Sequence, residues 1–127
     1  MKNNSLSFLL AVSWLLISTF LLTIPGTRFP KEDWLSKLWF DKWVHIGIFS
    51  LMVFLWCWFF YKSAIKKANL INYFLVTALC CFAYGTGMEF VQKYFVSNRS
   101  FDLGDIIADG VGCVAGLIYS WGRYIKK

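Results

Sequence analysis

The residues able to do chemistry fall in three short stretches. His45 is the chain's single histidine and follows Asp41 by four positions, which places both on one helical face. Glu89 and Gln92 are three apart and share a face with Gly85 and Cys81. Asp105, Asp109, Gly112 and Gly116 form a single helical stripe with Asp102 one step ahead. Arg99 lies in the short connection between Gln92 and Asp102. His45, Glu89 and Asp105 are the catalytic candidates, the first two as general bases. Asp41, Gln92, Arg99, Asp102 and Asp109 are the ligand-binding candidates. The Arg99 guanidinium is a fork for phosphate or carboxylate, and also the natural ion-pair partner of the neighbouring acids, so its two roles compete. No metal is assigned, but Asp102, Asp105 and Asp109 offer oxygen ligands that suit Mg²⁺ or Ca²⁺, and a lone histidine gives little reason to propose structural zinc.

Such residues must be held by elements, and the rest of the chain says which. Of 127 residues, 58% are hydrophobic and 20% aromatic, and only 16% are Asp, Glu, Lys or Arg, against roughly a quarter in a soluble domain. That is too little charge to coat a globular surface in water. The apolar residues form four long runs, so the expected fold is all-α: one polytopic membrane domain over residues 1–127, a compact bundle of four transmembrane helices. The spans fall at about 6–24, 44–61, 70–91 and 103–121. The first run exceeds the usual apolar core of a signal peptide and no Ala-x-Ala site follows it, so it reads as a retained span. Cys57, Cys80, Cys81 and Cys113 lie inside apolar runs without Cys-x-x-Cys spacing and read as small hydrophobes.

The net charge of +6 does not signal nucleic acid. Lys2, Lys62, Lys66, Lys67, Arg123, Lys126 and Lys127 sit at the ends of apolar runs, where anionic lipid headgroups are their partners, and Trp56, Trp58 and Tyr61 form an interfacial belt beside them. Those seven bases share one side of the membrane with no acid, whereas the other side carries six bases and all seven acids. The density of bases in Lys62–Lys67 and Arg123–Lys127 orients the termini to the cytoplasm and the polar cluster outward.

Each chemical residue also has a plain reading: His45 as an interfacial residue, Glu89 as a snorkelling end charge, Gly112-x-x-x-Gly116 as ordinary helix packing. Convergence argues against treating them separately. An ionisable group inside a span costs ~2.5 to 3.5 kcal/mol on insertion scales, and here they gather at one end of all the helices that carry them. The small-residue stripe, which extends back to Ala108, brings a second backbone close and carries the carboxylates of the last span into the same interface. A structured polar pocket is the expectation.

In order and separation, Asp41-Lys-Trp-Val-His45, Glu89-Phe-Val-Gln92, Arg99-Ser-Phe-Asp102, Asp105-Ile-Ile-Ala-Asp109 and Gly112-x-x-x-Gly116 resemble the VanZ-like family of small membrane proteins, over residues 41–119. The first span fits that family's usual extra helix. The resemblance carries the family's aspartate and histidine onto Asp41 and His45, its Glu-x-x-Gln onto Glu89 and Gln92, and its Arg-x-x-Asp-x-x-Asp onto Arg99, Asp102 and Asp105. Where members usually have Asn, this chain has Asp109, so a further acid must keep its proton, bind a cation or be hydrated. The resemblance implies a bacterial cell-membrane protein, and the family's namesake is associated with resistance to the glycopeptide teicoplanin. It delivers no reaction.

Three functions follow. The first is a membrane-embedded binding protein for an anionic envelope component or a glycopeptide-type ligand. The second is an enzyme acting on a lipid headgroup, with His45 or Glu89 as base and Arg99 as clamp. The third is a structural or assembly factor whose polar cluster fixes helix register. Membrane lipids are partners in all three, and oligomerisation stays open. A haem held by two histidines is excluded by the count of one, and transport is disfavoured because no ionisable residue lies near the middle of a span. No nucleotide-binding or hydrolase motif is present. The charge distribution makes a direct prediction: a membrane-impermeant thiol reagent applied to intact cells should label Ser36→Cys and spare Ala64→Cys. The reverse pattern would invert the orientation and leave the helices untouched.

Overall fold

Without water between helices there is no hydrophobic force to draw them together, so a membrane bundle depends on close backbone approach and on interhelical hydrogen bonds. The computed structural model describes residues 4–23, 40–96 and 103–126, with side chains from 42 onward in the second stretch. Four helices account for nearly all of them: α1 Ser5–Leu22, α2 Phe40–Lys62, α3 Lys67–Phe95 and α4 Leu103–Ser120, the last running on into a π-helical turn, Trp121–Ile125. No strand occurs among the described residues, so the protein is all-α. Both prolines of the chain, Pro25 and Pro30, lie in sequence between α1 and α2, and none falls within a described helix. Each helix is long and apolar enough to cross a membrane. Helices α2 and α3 extend beyond their apolar runs, because backbone hydrogen bonding continues through charged residues that solvate at the headgroups.

On α1 and α4 small residues dominate the buried face and large ones the outer face, whereas Phe49, Met52 and Phe74 fill the core from α2 and α3. On α1, Ser7, Ala11 and Ser18 are buried while Leu9, Leu16 and Phe20 face outward. On α4 the stripe Asp105, Asp109, Gly112, Gly116 is buried and Ile107, Val114 and Ile118 are exposed. An apolar groove of about 570 Å³, lined by Leu15, Met52, Trp56, Phe60, Tyr73 and Tyr84 among others, separates α1, α2 and α3 on the lipid side. At the basic end Tyr61 stacks on Tyr124 at 4.4 Å between ring centroids, and Lys62 lies 5.5 Å over the Trp58 ring.

The tightest contact in the bundle is α4 on α2. A Cβ added at Gly112 would stand 2.6 Å from the carbonyl oxygen of Ile46, and one at Gly116 would stand 2.6 Å from that of Ser50. Ile46 and Ser50 are one turn apart, as are the two glycines, so the helices run parallel with a fixed register. Helix α1 runs antiparallel to α2, held by Asn4 Nδ2 donating to Ser63 Oγ (2.7 Å) and Trp14 Nε1 donating to the Ile48 carbonyl (3.0 Å). Its hydroxyl at Thr19 meets Tyr84 on α3 at 2.5 Å. Helix α3 runs antiparallel to α4, with the Phe82 ring filling the space beside Gly110 and Phe74 edge-on to Tyr124.

Because the obstacles at Gly112 are backbone atoms that cannot rotate away, Gly112→Ala should destabilise the bundle by about 1 to 3 kcal/mol. Gly87→Ala, where nothing lies within 4 Å, should be neutral or slightly stabilising. Unfolding of both variants in detergent measures the difference; equal stability would mean that α2 and α4 are not in backbone contact.

Candidate functional site

The parallel register of α2 and α4 pairs their N-terminal turns residue by residue. Lys42 Nζ stands 2.7 Å from Asp105 Oδ1, and one turn deeper His45 Nδ1 stands 2.7 Å from Asp109 Oδ1. His45 Nε2 is 3.7 Å from Asp105 Oδ2, too far for a hydrogen bond but within ion-pair range for a protonated ring. The antiparallel α3 brings its C-terminal turns to the same level, delivering Glu89 and Gln92. Gln92 Nε2 donates to the Leu22 carbonyl at 2.7 Å, which satisfies one of the open carbonyls at the end of α1. Residues of all four helices therefore meet at one end of the bundle.

These groups are deeply enclosed: His45 is 5% exposed, Asp105 6%, and Glu89, Gln92 and Asp109 1% each. Lys42 is less covered, with about a fifth of its side chain accessible, and stands at the mouth. When Asp109 is ionised and the ring is neutral, Nδ1 of His45 carries the proton and donates it into the 2.7 Å contact, which leaves Nε2 with a bare lone pair. A carboxylate that orients an imidazole in this way is the arrangement of a general base or of a metal ligand. The His45 ring also lies nearly parallel to Phe49, at 12° between planes.

Room for Asp109 comes from a missing side chain. A Cβ at Gly85 of α3 would fall 2.6 Å from Asp109 Oδ2 and 2.9 Å from the Phe49 ring. Gly85, Glu89 and Gln92 are all on the buried face of α3, so one face supplies both the space and two of the polar groups.

Five of the sequence candidates, His45, Glu89, Gln92, Asp105 and Asp109, are thus gathered in one cluster. Arg99 and Asp102 lie outside the described residues, and Asp41 occupies the second position of α2 with its side chain outside them. The structure adds a grouping of possible metal ligands to the one read in sequence. Among the described residues, donor atoms of His45, Glu89 and Asp109 lie within 4.8 Å of one another, all three buried, while Asp102 of the sequence grouping lies outside those residues. Asp105 is paired with Lys42, which the sequence reading includes only among the six bases on the acid-bearing side. Its signal was present: a base three positions before His45 shares a face with it, as Asp105 shares one with Asp109. The Leu22 carbonyl and the Thr19–Tyr84 contact carried no such signal.

A family profile described as VanZ/LLP1 matches residues 5–124. Among curated proteins, one from Schizosaccharomyces pombe (strain 972 / ATCC 24843), described as Uncharacterized protein C11E3.10, is 33% identical over 105 residues. That alignment covers 82% of this chain and 56% of the yeast protein, so the chain spans about half the length of the curated relative it matches. No solved structure matches.

The 2.7 Å contact between His45 and Asp109 predicts strong coupling. In a double-mutant cycle with His45→Gln and Asp109→Asn, read by unfolding in detergent, the coupling should reach about 1 to 3 kcal/mol. Additive losses would mean that the two side chains do not share a bond in the membrane.

Proposed function

This chain belongs to the VanZ/LLP1 family, and from that premise we propose that it is a membrane-embedded binding protein for an anionic cell-envelope component or a glycopeptide-type ligand. The observation that carries the reading is the meeting of Lys42, His45, Glu89, Gln92, Asp105 and Asp109 at one end of a bundle whose flanks expose large apolar side chains. Lys42 at the mouth takes the anionic group, with Arg99 as a second base on the strength of the sequence pattern alone, and the carboxylates with Gln92 take hydroxyl or cationic groups of the same ligand. A divalent cation fits this end as well, among the donor atoms of His45, Glu89 and Asp109. The protein sits in a bacterial cell membrane with its termini in the cytoplasm and the polar end outward, where envelope components and glycopeptides are met. Asp41 and Asp102 belong to the same ligand-binding set by their sequence spacing to His45 and Asp105. Resistance to teicoplanin-type glycopeptides is the phenotype in which such binding would be seen.

A second reading, an enzyme acting on a lipid headgroup, is favoured by one specific contact. His45 held by Asp109 is a base with its orienting carboxylate, and Glu89 and Asp105 are close enough to act with it.

The test is a glycopeptide-protection assay with variants matched for membrane level. Glu89→Gln, Lys42→Ala and Arg99→Ala should each lower protection at least tenfold, while Glu32→Gln should leave it unchanged. Matching matters because removing one partner of a buried ion pair can unfold the chain by stranding the other. Wild-type protection by all three variants at equal protein level would sink the binding reading.

A further inference from the structure

His45, Glu89 and Asp109 come from three different helices, and each is at least nine-tenths buried. Their donor atoms, one imidazole nitrogen and two carboxylate oxygens, lie within 4.8 Å of one another. Ligands bound to a first-row divalent ion at about 2.0 to 2.2 Å stand roughly 3 to 3.5 Å from each other. The His45–Asp109 contact at 2.7 Å has only to open slightly, and the other separations to close by little more than 1 Å, for an ion to sit among all three. No other such group of His, Cys, Asp or Glu occurs among the described residues.

We propose that His45, Glu89 and Asp109 bind one divalent first-row transition ion, Zn²⁺ or Mn²⁺, in preference to Mg²⁺ or Ca²⁺, with open coordination positions for water or a ligand oxygen. The donor set decides the selectivity. Imidazole nitrogen binds zinc and its neighbours strongly, whereas Mg²⁺ and Ca²⁺ want six or more oxygens and bind nitrogen poorly. Three protein ligands leave at least one position free, as in catalytic rather than structural zinc sites. Asp105 stays with Lys42 and does not ligate. The ion also resolves an electrostatic conflict. An anionic ligand approaching Glu89, Asp105 and Asp109 meets like charge, and a bound dication reverses the local field so that a phosphate or carboxylate oxygen can complete its coordination. The metal site stands on its own geometry, and only this last step rests on the anion-binding reading given above.

The experiment uses the full, tag-free chain in lipid nanodiscs, stripped with chelator and dialysed against Zn²⁺, Mn²⁺, Co²⁺, Mg²⁺ or Ca²⁺, with metal content read by mass spectrometry. Close to one Zn²⁺ or Mn²⁺ per chain is expected, retained against a hundredfold excess of Mg²⁺. Asp109→Asn and Glu89→Gln should weaken binding at least tenfold, while Glu32→Gln should bind like the parent. Where Asp109→Asn fails to remain helical and monodisperse, Glu89→Asp keeps the test decisive: it preserves a carboxylate, and should hold Co²⁺ with visible absorption bands altered from those of the parent. Absence of stoichiometric metal in the folded parent, equal retention of Mg²⁺ and Zn²⁺, or Co²⁺ bands identical in parent and Glu89→Asp would overturn the site. Inorganic phosphate added to the Co²⁺ form separates the two readings. Shifted bands support both, and unshifted bands with stoichiometric metal leave the site standing and count against anion binding.

Discussion

The contact on which the rest of this structure depends is the seating of α4 on the backbone of α2. Gly112 and Gly116 present no side chain where the carbonyls of Ile46 and Ser50 approach, so the two helices lie closer than any larger residue would allow. Close seating fixes register. A slip by one helical turn would carry a glycine off its carbonyl and set a larger residue there. The same slip would move Asp109 a full turn from His45 and Asp105 a full turn from Lys42, about 5.4 Å in each case. Packing and site geometry are therefore a single constraint, and the polar pairs at 2.7 Å follow from the glycines one and two turns deeper.

Helix α3 completes the enclosure by a similar device. Gly85 leaves space for the Asp109 carboxylate and for the edge of Phe49, and Glu89 follows one turn later. Helix α1 adds no charge. It contributes a cover of small residues, the Thr19 hydroxyl against Tyr84, and the Leu22 carbonyl that accepts from Gln92. An outer helix that ends on an open carbonyl, capped by a buried amide, ties the end of α1 to the level of the site.

Much of this was legible in the sequence because membrane constraints leave few alternatives. Four apolar runs without internal proline could only be helices, and the stepping of Asp105, Asp109, Gly112 and Gly116 put them on one face whatever the neighbour was. The family resemblance carried by His45, Glu89, Gln92 and the aspartates is matched by the VanZ/LLP1 profile over residues 5–124. What one-dimensional spacing could not convey was the partner of each side chain. Lys42 and Asp105 are 63 residues apart and His45 and Asp109 are 64 apart, so the nearly constant offset becomes visible only when the parallel register of α2 and α4 is known. Hence spacing alone shows neither the Lys42–Asp105 pair nor the nearness of His45 and Glu89 to Asp109. Backbone partners such as the carbonyls of Leu22 and Ile48 have no residue signature at all.

The cluster is difficult to explain as a device for register alone. A single polar residue in a helix interface suffices to select one alignment, and Gly112 and Gly116 already enforce it sterically. His45, Glu89 and Asp109 add three ionisable groups at 5%, 1% and 1% exposure, each costly to place at membrane depth. Ion pairing offsets that cost without making such groups a source of stability, since apolar residues of similar volume usually serve a buried interface as well or better. A chain that needed only to hold four helices together would be at least as stable with Leu, Ala or Asn at these positions. Chemistry that requires a nitrogen and two carboxylate oxygens at one point does not survive those replacements. The physical cost of the polar end therefore argues for a ligand or an ion there, and against a structural part alone.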